Sequence, residues 1–169
     1  MQTHAVPLHT LPAAVHAWIK LSGSMTQAIQ SVTGQAPAVR IKLSQAAPAS
    51  AWEAELLQGS NCFVRHIELL AGEQLCLTAR SLALQNSPAA LALANLGERP
   101  LADLLFNGAW VQGDIHAITT NTGGFGRAAV WRNSGGYPLL VQEIFAPEFV
   151  RAYQPHSTEK KAQLPGQGS

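Results

Sequence analysis

The sequence is short of lysine and of charge in general, and this limits the functions open to it. Only four of its 169 residues are lysine, 12% of all residues are charged, and 11 basic side chains are nearly balanced by 10 acidic ones. Proteins that follow a phosphate backbone concentrate many more Lys and Arg residues on one surface. We therefore expect no nucleic-acid partner.

Cysteine is equally scarce, with only Cys62 and Cys76. Both lie in strand-like segments, where we expect buried, reduced thiols of the kind found in cytoplasmic proteins. The amino-terminal segment lacks the basic region and uninterrupted apolar run of a signal peptide. No stretch approaches the eighteen apolar residues that a membrane span requires. We therefore expect a cytoplasmic protein without a membrane span.

Motifs for metal, nucleotide or covalent chemistry are also missing. The six histidines include no pair four residues apart, there is no Cys-x-x-Cys, and no serine lies in a nucleophile-elbow motif. Residues 121–127 (NTGGFGR) are rich in glycine but lack the strand–loop–helix context of a phosphate loop. A hairpin loop is the better interpretation, and a mobile flap over a pocket is compatible with it. We expect no metal and no cofactor.

What the sequence does contain is enough apolar residues for a sizeable core, since 47% are hydrophobic. Helical and strand-like segments are grouped rather than strictly alternating. This grouping predicts an α+β fold in which a single antiparallel sheet is covered on one side by helices. We expect one domain over residues 11–150, a loose arm at 1–10 and a disordered polar tail at 151–169.

The hairpin at residues 62–82 (CFVRHIELLAGEQLCLTARSL) carries an unexpected pair of charges. Its Gly-Glu turn at 72–73 predicts a register in which Arg65 lies directly opposite Arg80 on a largely apolar face. Like charges in this arrangement repel one another, and burial removes their hydration. We therefore expect an anionic group between them.

Glu143 is a third unexpected charge, because it lies in a strand-like segment (PLLVQEIF, 138–145) whose two faces are both largely apolar. A buried carboxylate needs a partner or a proton, so a structural salt bridge and a polar pocket for a small anion are both compatible with it. Arginine stays charged and binds a carboxylate through two parallel hydrogen bonds. Together Arg65, Arg80 and Glu143 indicate a pocket for a small, mainly apolar acid with a second polar group.

Six segments follow one another in a specific order and spacing: GSMT (23–26), VRHIELLAGEQLCLTARSL (64–82), PAALALANLGERPLADLLF (88–106), GDIHAI (113–118), GGFGR (123–127) and PLLVQEIF (138–145). Through these segments the chain resembles, over about residues 18–150, the chorismate pyruvate-lyase family. This resemblance implies a monomeric, cofactor-free carbon–oxygen lyase that opens ubiquinone biosynthesis by cleaving chorismate to 4-hydroxybenzoate and pyruvate. It also implies about six antiparallel strands with helices on one side, and an enclosed product that inhibits the enzyme.

The same resemblance assigns roles to individual residues. Arg65 would bind the ring carboxylate, and the backbone at Met25 and Leu101 would help to hold it. Glu143 would meet the 4-hydroxyl, and Arg80 would receive the enolpyruvyl carboxylate. Glu143 could act as general base toward the hydrogen on C4, or only orient the hydroxyl while that hydrogen passes directly to the enolpyruvyl methylene. A mobile flap would contain Gly124, Phe125 and Arg127.

A second class of function shares this fold. The UTRA-type effector domains of some bacterial transcription regulators bind small molecules without catalysis, usually behind an N-terminal winged helix, for which we expect no room here. Conversion of chorismate to 4-hydroxybenzoate would distinguish the lyase from the effector domain.

Overall fold

The computed structural model describes residues 2–156 and confirms an α+β fold built on one antiparallel sheet. The strands are β1 (Thr3–Ala5), β2 (Ala38–Pro48), β3 (Asn61–Ala71), β4 (Gln74–Leu84), β5 (Trp110–Gln112), β6 (His116–Thr120), β7 (Phe125–Asn133) and β8 (Pro138–Phe145). The helices are α1 (Ala13–Ile19), α2 (Met25–Thr33), α3 (Ala51–Leu57), α4 (Pro88–Ala94), α5 (Ala102–Leu105) and α6 (Pro147–Ala152), with a 3-10 turn at Leu8–Thr10.

Seven strands cross the sheet in the order β1-β6-β7-β8-β4-β3-β2, and β5 pairs with β7 as an eighth. Each pairing is antiparallel. The sheet therefore has two strands more than the six expected. The shortest two, β1 and β5, have three residues each, too few to show an alternating pattern in the sequence.

Helix ends follow the capping signals of the sequence. The Ser24 hydroxyl accepts a hydrogen bond from the N–H of Gln27, and α2 ends at Gly34, whose φ of 75° lies in the left-handed region. The Ser87 hydroxyl likewise accepts from a backbone N–H, and Pro88 occupies the first position of α4. These caps set where the chain turns back over the sheet.

The two faces of the sheet are covered unequally. We call the face that contains Ile67, Ala79 and Val141 the first face, and the opposite one the second face. The first face packs against residues of α1, α2, α4 and α6, including Val15, Trp18, Ile29, Leu93 and Phe149. On the second face, Leu57 of α3 packs against Val64, Leu82 and Leu140. Most helices thus lie on one side, as expected, and α3 is the exception.

The β3–β4 hairpin has the predicted two-residue turn but a different register beyond it. Leu70 pairs with Leu75 as predicted, whereas Leu69 pairs with Leu77, because Cys76 is an extra residue on β4. Such a bulge shifts all later partners by one residue, and a shift of one moves a side chain to the other face.

The bulge overturns the predicted pairing of two arginines. Arg65 lies opposite Ser81, and Arg80 lies opposite His66. Side chains alternate between faces along a strand, so Arg65 shares the first face with Ile67, while Arg80 lies on the second. The prediction that Arg65 and Arg80 face each other is therefore wrong.

The ends of the described chain are held more firmly than expected. Residues 3–5 are not a loose arm, because β1 pairs with β6 and Thr3 is buried. At the other end α6 crosses the expected boundary at 150, and the carbonyl of Tyr153 accepts a hydrogen bond from Trp18 Nε1 at 3.0 Å. Residues 157–169 of the predicted disordered tail lie outside the described residues.

Both cysteines are free and buried, as expected. Within residues 2–156, no helix combines the length and the apolar character needed to cross a membrane.

Candidate active site

A pocket lies between the first face of the sheet and the segments that cover it. Its floor consists of alternate residues of β3, β4, β7 and β8, and its roof consists of residues at 23–26 and 100–106. Its volume is about 60 Å³. A cavity of roughly 150 Å³ can hold a benzene ring. We therefore expect the roof to shift outward when an aromatic ligand binds. Most floor residues are apolar: Ile67, Leu69, Leu77, Ala79, Ala129, Trp131 and Val141.

Arg65 is a buried cation on the first face, two residues before the pocket-lining Ile67 of β3, and in the described chain it is not itself among the residues that line the pocket. Its side chain is on the first face, only 2% of the residue is exposed, and Nη2 donates to the carbonyls of Gly97 at 3.0 Å and Arg99 at 2.8 Å. Within residues 2–156, Nε has no hydrogen-bond partner and no carboxylate pairs with the guanidinium. Burial lowers the pKa of Arg65. An uncompensated buried charge is costly, so the site favours an anionic ligand.

The roof offers backbone donors near Arg65. Met25 is the first residue of α2, and Leu101 immediately precedes α5, and both line the pocket. The first N–H groups of a helix have no acceptor within that helix. The carbonyls that hold Arg65 belong to the segment just before Leu101, so the guanidinium and this part of the roof are neighbours.

Glu143 lines the pocket from β8 and forms an ion pair with Arg127 of β7. Arg127 Nε donates to Glu143 Oε1 at 2.8 Å, and both side chains are largely buried. Arg127 Nη1 also donates to the carbonyl of Leu21 at 2.7 Å. The salt bridge left open by the sequence is therefore present, and Glu143 also lines the pocket, whereas the binding of a small anion there stays a prediction.

Gly126 allows the two strands to approach at this point. A Cβ on Gly126 would lie 1.7 Å from the carbonyl oxygen of Glu143. A side chain here would force β7 away from β8, beside the ion pair of Arg127 and Glu143, so the position requires glycine.

The predicted flap is wrong in its position. Phe125 and Arg127 belong to β7, and Gly124 is tied to the preceding strand through a hydrogen bond from its N–H to Thr120 Oγ1 at 2.8 Å. The segments that cover the pocket are residues 23–26 and 100–106 instead. The alternation of Arg127 with Ala129 and Trp131 along β7 was the signal that Arg127 faces the pocket.

Arg80 lies on the second face with a carboxylate of its own. Its Nε and Nη2 donate to the two oxygens of Glu53, at 2.8 and 3.0 Å, and Glu53 is 1% exposed. Glu53 Oε1 also accepts from the N–H of Ser50, which completes a capping box at the start of α3. Gln142 donates to Glu53 and accepts from the Thr3 hydroxyl. This position does not support the expected contact between Arg80 and a ligand in the pocket.

The ionisation of Glu53 reflects this network. Burial alone would raise its pKa, but the hydrogen bonds from Arg80, Ser50 and Gln142 and the charge of Arg80 outweigh burial, so that the pKa is lowered. Sequence reasoning did not single out Glu53. The Ser50-x-x-Glu53 spacing was a signal for its capping role, but not for its burial.

Arg65 and Glu143 are spaced for a ligand with two polar ends. Arg65 pairs with Ser81, and Ser81 pairs with Val141. Glu143 therefore lies two strands away from Arg65 and is displaced from it by two residues along the strand direction. With strands ~4.8 Å apart and a rise of ~3.4 Å per residue, their Cα atoms are about 12 Å apart. Both side chains project from the first face, so a ligand with a polar group at each end can contact both.

The model of the chorismate lyase family matches residues 2–154. The chain belongs to the chorismate lyase family. The six segments that carried the resemblance in the sequence lie inside this match, and five of them contribute directly to the pocket: residues 23–26, 64–82, 88–106, 123–127 and 138–145.

Two relatives of the family are similar over most of the chain. A chorismate pyruvate-lyase of Sodalis glossinidius is 32% identical over 143 residues, which cover 80% of this chain and 78% of that protein. A probable chorismate pyruvate-lyase of Methylococcus capsulatus is 31% identical over 153 residues, which cover 79% of this chain and 94% of that protein. The expected enzyme class, a carbon–oxygen lyase, is confirmed by this membership.

Solved structures show the same fold in proteins of another kind. The effector domain of PhnF from Mycobacterium smegmatis matches with a TM-score of 0.54 at 12% identity, over 76% of this chain and 91% of that domain. PhnF itself matches with a TM-score of 0.55 at 13% identity, over 76% of this chain and 66% of that protein. At this identity the likeness is one of fold.

Proposed function

We propose that this protein is a chorismate pyruvate-lyase that cleaves chorismate to 4-hydroxybenzoate and pyruvate. The observation that carries the proposal is Arg65, a buried guanidinium with no carboxylate partner among residues 2–156, on the sheet face that also forms the floor of an apolar pocket. A benzoate-type carboxylate supplies the missing charge, and the ring fills the apolar floor.

The ligand lies across the floor with its carboxylate toward Arg65. The backbone N–H groups at Met25 and Leu101, which both line the pocket, then support that carboxylate. The 4-hydroxyl then points toward Glu143, whose carboxylate accepts its hydrogen bond. Arg65 and Glu143 are the catalytic residues, because they touch the two ends of the reacting ring.

The reaction itself demands little of the protein. The bond from C3 to the ether oxygen breaks, C4 loses its hydrogen, and the ring becomes aromatic, which drives the reaction forward. The hydrogen passes directly to the methylene carbon of the enolpyruvyl group, whose ether oxygen becomes the keto oxygen of pyruvate, so no atoms are gained or lost. Positioning and charge stabilisation then supply most of the rate, and Glu143 only orients the hydroxyl.

Charge balance in the pocket favours retention of the product. Arg65 and Arg127 contribute two positive charges and Glu143 contributes one negative charge, so a monoanion leaves the site neutral. The product 4-hydroxybenzoate is such a monoanion and is covered by the roof. We therefore expect it to inhibit the enzyme. In the cell we place the reaction in the cytoplasm, carried out by a monomer without cofactor, as the first committed step of ubiquinone biosynthesis.

A second candidate function is binding of a small effector without catalysis. The observation that favours it is the fold shared with the effector domain of PhnF. A protein of this kind would bind a benzoate through Arg65 and leave chorismate unchanged. Turnover of chorismate therefore separates the two candidates.

The test is incubation of the purified protein with chorismate after exhaustive dialysis and in the presence of a chelator. The 4-hydroxybenzoate formed is followed by absorbance, and pyruvate by a coupled dehydrogenase. We expect equimolar amounts of both products and no loss of rate with the chelator. Absence of turnover in a folded protein that binds 4-hydroxybenzoate would favour the effector-binding function instead. A metal requirement would refute the cofactor-free reaction.

A further inference from the structure

We infer that Arg127 binds the second carboxylate of the substrate, the one carried by the enolpyruvyl group, and so distinguishes a dicarboxylate from a monocarboxylate. This inference rests on the proposed function for the identity of the ligand. The residue expected from the sequence for this role, Arg80, lies on the opposite face of the sheet and is already paired with Glu53. Because Arg65 is assigned to the ring carboxylate, the second carboxylate of a dianion needs a cation other than Arg65 and Arg80.

Arg127 is the cation among the residues that line the pocket in the described chain. Its side chain projects from β7 on the same face as Ala129 and Trp131, and the residue is 6% exposed. Arginine has five N–H donors, and the contacts with Glu143 and the Leu21 carbonyl account for two of them. Donors are thus left for a ligand oxygen.

The chemistry of the substrate brings its second carboxylate to this place. The enolpyruvyl ether is on C3, next to the hydroxyl on C4. If the hydroxyl lies against Glu143, the substituent on the neighbouring carbon lies close to the guanidinium that is 2.8 Å from that same carboxylate. Arg127 then separates two negative charges, that of Glu143 and that of the enolpyruvyl group, and offsets their repulsion.

The pairing of β7 with β8 keeps the ion pair of Arg127 and Glu143 in a fixed position. Arg127 and Glu143 are direct partners in the β7–β8 register. Their backbones are brought together at Gly126. Two opposite charges held this way keep fixed positions when a third charge enters, so the site is organised before the ligand binds.

The test compares two unreactive ligands that differ in one charge. They are 3-(carboxymethoxy)-4-hydroxybenzoate and 3-ethoxy-4-hydroxybenzoate, and the measured quantity is the ratio of their dissociation constants from calorimetric titration. We expect wild-type protein to prefer the dicarboxylate, and the preference to fall on the order of a hundredfold in Arg127→Gln. Arg132→Gln, an exposed arginine of the same strand, is the matched control and should leave the ratio unchanged.

Loss of Arg127 also leaves Glu143 unpaired, so the comparison is repeated in a Glu143→Gln background. There the ratio should still fall when Arg127→Gln is added, because no carboxylate remains to be disturbed. Equal affinity of wild-type protein for the two ligands, or a ratio unaffected by Arg127→Gln in both backgrounds, would overturn the assignment. A protein that shows the Arg127-dependent preference but does not convert chorismate would refute the proposed function and support the assignment.

Discussion

Arg80 and Glu53 form a two-point ion pair on the second face of the sheet, with Nε and Nη2 of the arginine 2.8 and 3.0 Å from the two carboxylate oxygens. The pair joins β4 to α3, which among residues 2–156 is the helix that covers this face. Through Gln142, which donates to Glu53, it is also joined to β8. The pair therefore lies directly behind the strands that carry the pocket.

This position predicts a structural role for Arg80. Arg80→Ala should lower the free energy of unfolding by about 3–5 kcal/mol, because it leaves the buried Glu53 carboxylate without its cation. Urea denaturation measures the change. The matched control is Arg40→Ala, which removes an exposed pair with Glu68 and should cost no more than about 1 kcal/mol. If the Arg80→Ala protein were as stable as wild type but no longer bound 4-hydroxybenzoate, Arg80 would be a ligand-binding residue and the structural role would be wrong.

The lowered pKa of Glu53 predicts how the free energy of unfolding depends on pH. Its pKa in the folded protein lies below the ordinary value of 4.5, so between the two pKa values the unfolded chain binds more protons than the folded one. The stabilisation is complete above pH 4.5 and is lost as the pH falls through the lowered pKa. Urea midpoints measured from pH 7 to pH 3 should therefore fall less steeply in Glu53→Gln than in wild type. Parallel curves for the two proteins would contradict this account.

Much of the fold could be predicted because its signals are local. Ser24 and Ser87 cap helices through hydroxyls three residues before the N–H groups they accept, and Gly72 forms the turn of the hairpin. Strands with clear alternation were found for the same reason. Short strands such as β1 were not predicted, because three residues are too few to show an alternation of apolar and polar side chains. The position of β1 is fixed instead by its pairing with β6.

The candidate site was predicted less completely, because one residue decides its register. Cys76 is extra on β4, and nothing in the apolar run around it shows which residue will be left without a partner. Because of this extra residue the register shifts by one, and the Arg80 side chain lies on the second face. Arg127 was predicted in a flap because its neighbours are glycines, whereas Gly126 lies where β7 and β8 approach closely and Arg127 belongs to β7. Glu143 was identified as an unusual strand charge, but its partner depends on the pairing of β7 with β8.

Arg65 should be required for ligand binding. Arg65→Ala should weaken the binding of 4-hydroxybenzoate by about 2–5 kcal/mol, and Arg65→Lys should restore only part of it, because an ammonium cannot reproduce two parallel hydrogen bonds. Calorimetric titration measures both. Arg132→Gln is the control, since that exposed side chain neither lines the pocket nor contacts the segment whose carbonyls hold Arg65. Unchanged affinity in a folded Arg65→Ala protein would rule out Arg65 as the carboxylate site.

Glu143→Gln separates the two roles left open for this carboxylate. It preserves the shape of the side chain but removes its charge and basicity. If Glu143 only orients the 4-hydroxyl, turnover should fall about tenfold, the equivalent of one ordinary hydrogen bond of roughly 0.5–1.5 kcal/mol. If Glu143 is the general base, the loss should be about 10²–10⁴-fold. We expect the smaller effect, and a thousandfold loss of turnover with product affinity little changed would show that Glu143 is the base.

The central claim is that one pocket on the first face holds 4-hydroxybenzoate between Arg65 and Glu143. A crystal structure of the complex with this product is the most direct measurement. We expect the ring over Ala79 and Val141, its carboxylate paired with the Arg65 guanidinium and its hydroxyl donating to Glu143. A ring bound elsewhere, or a carboxylate held by Arg80 on the second face, would contradict the account.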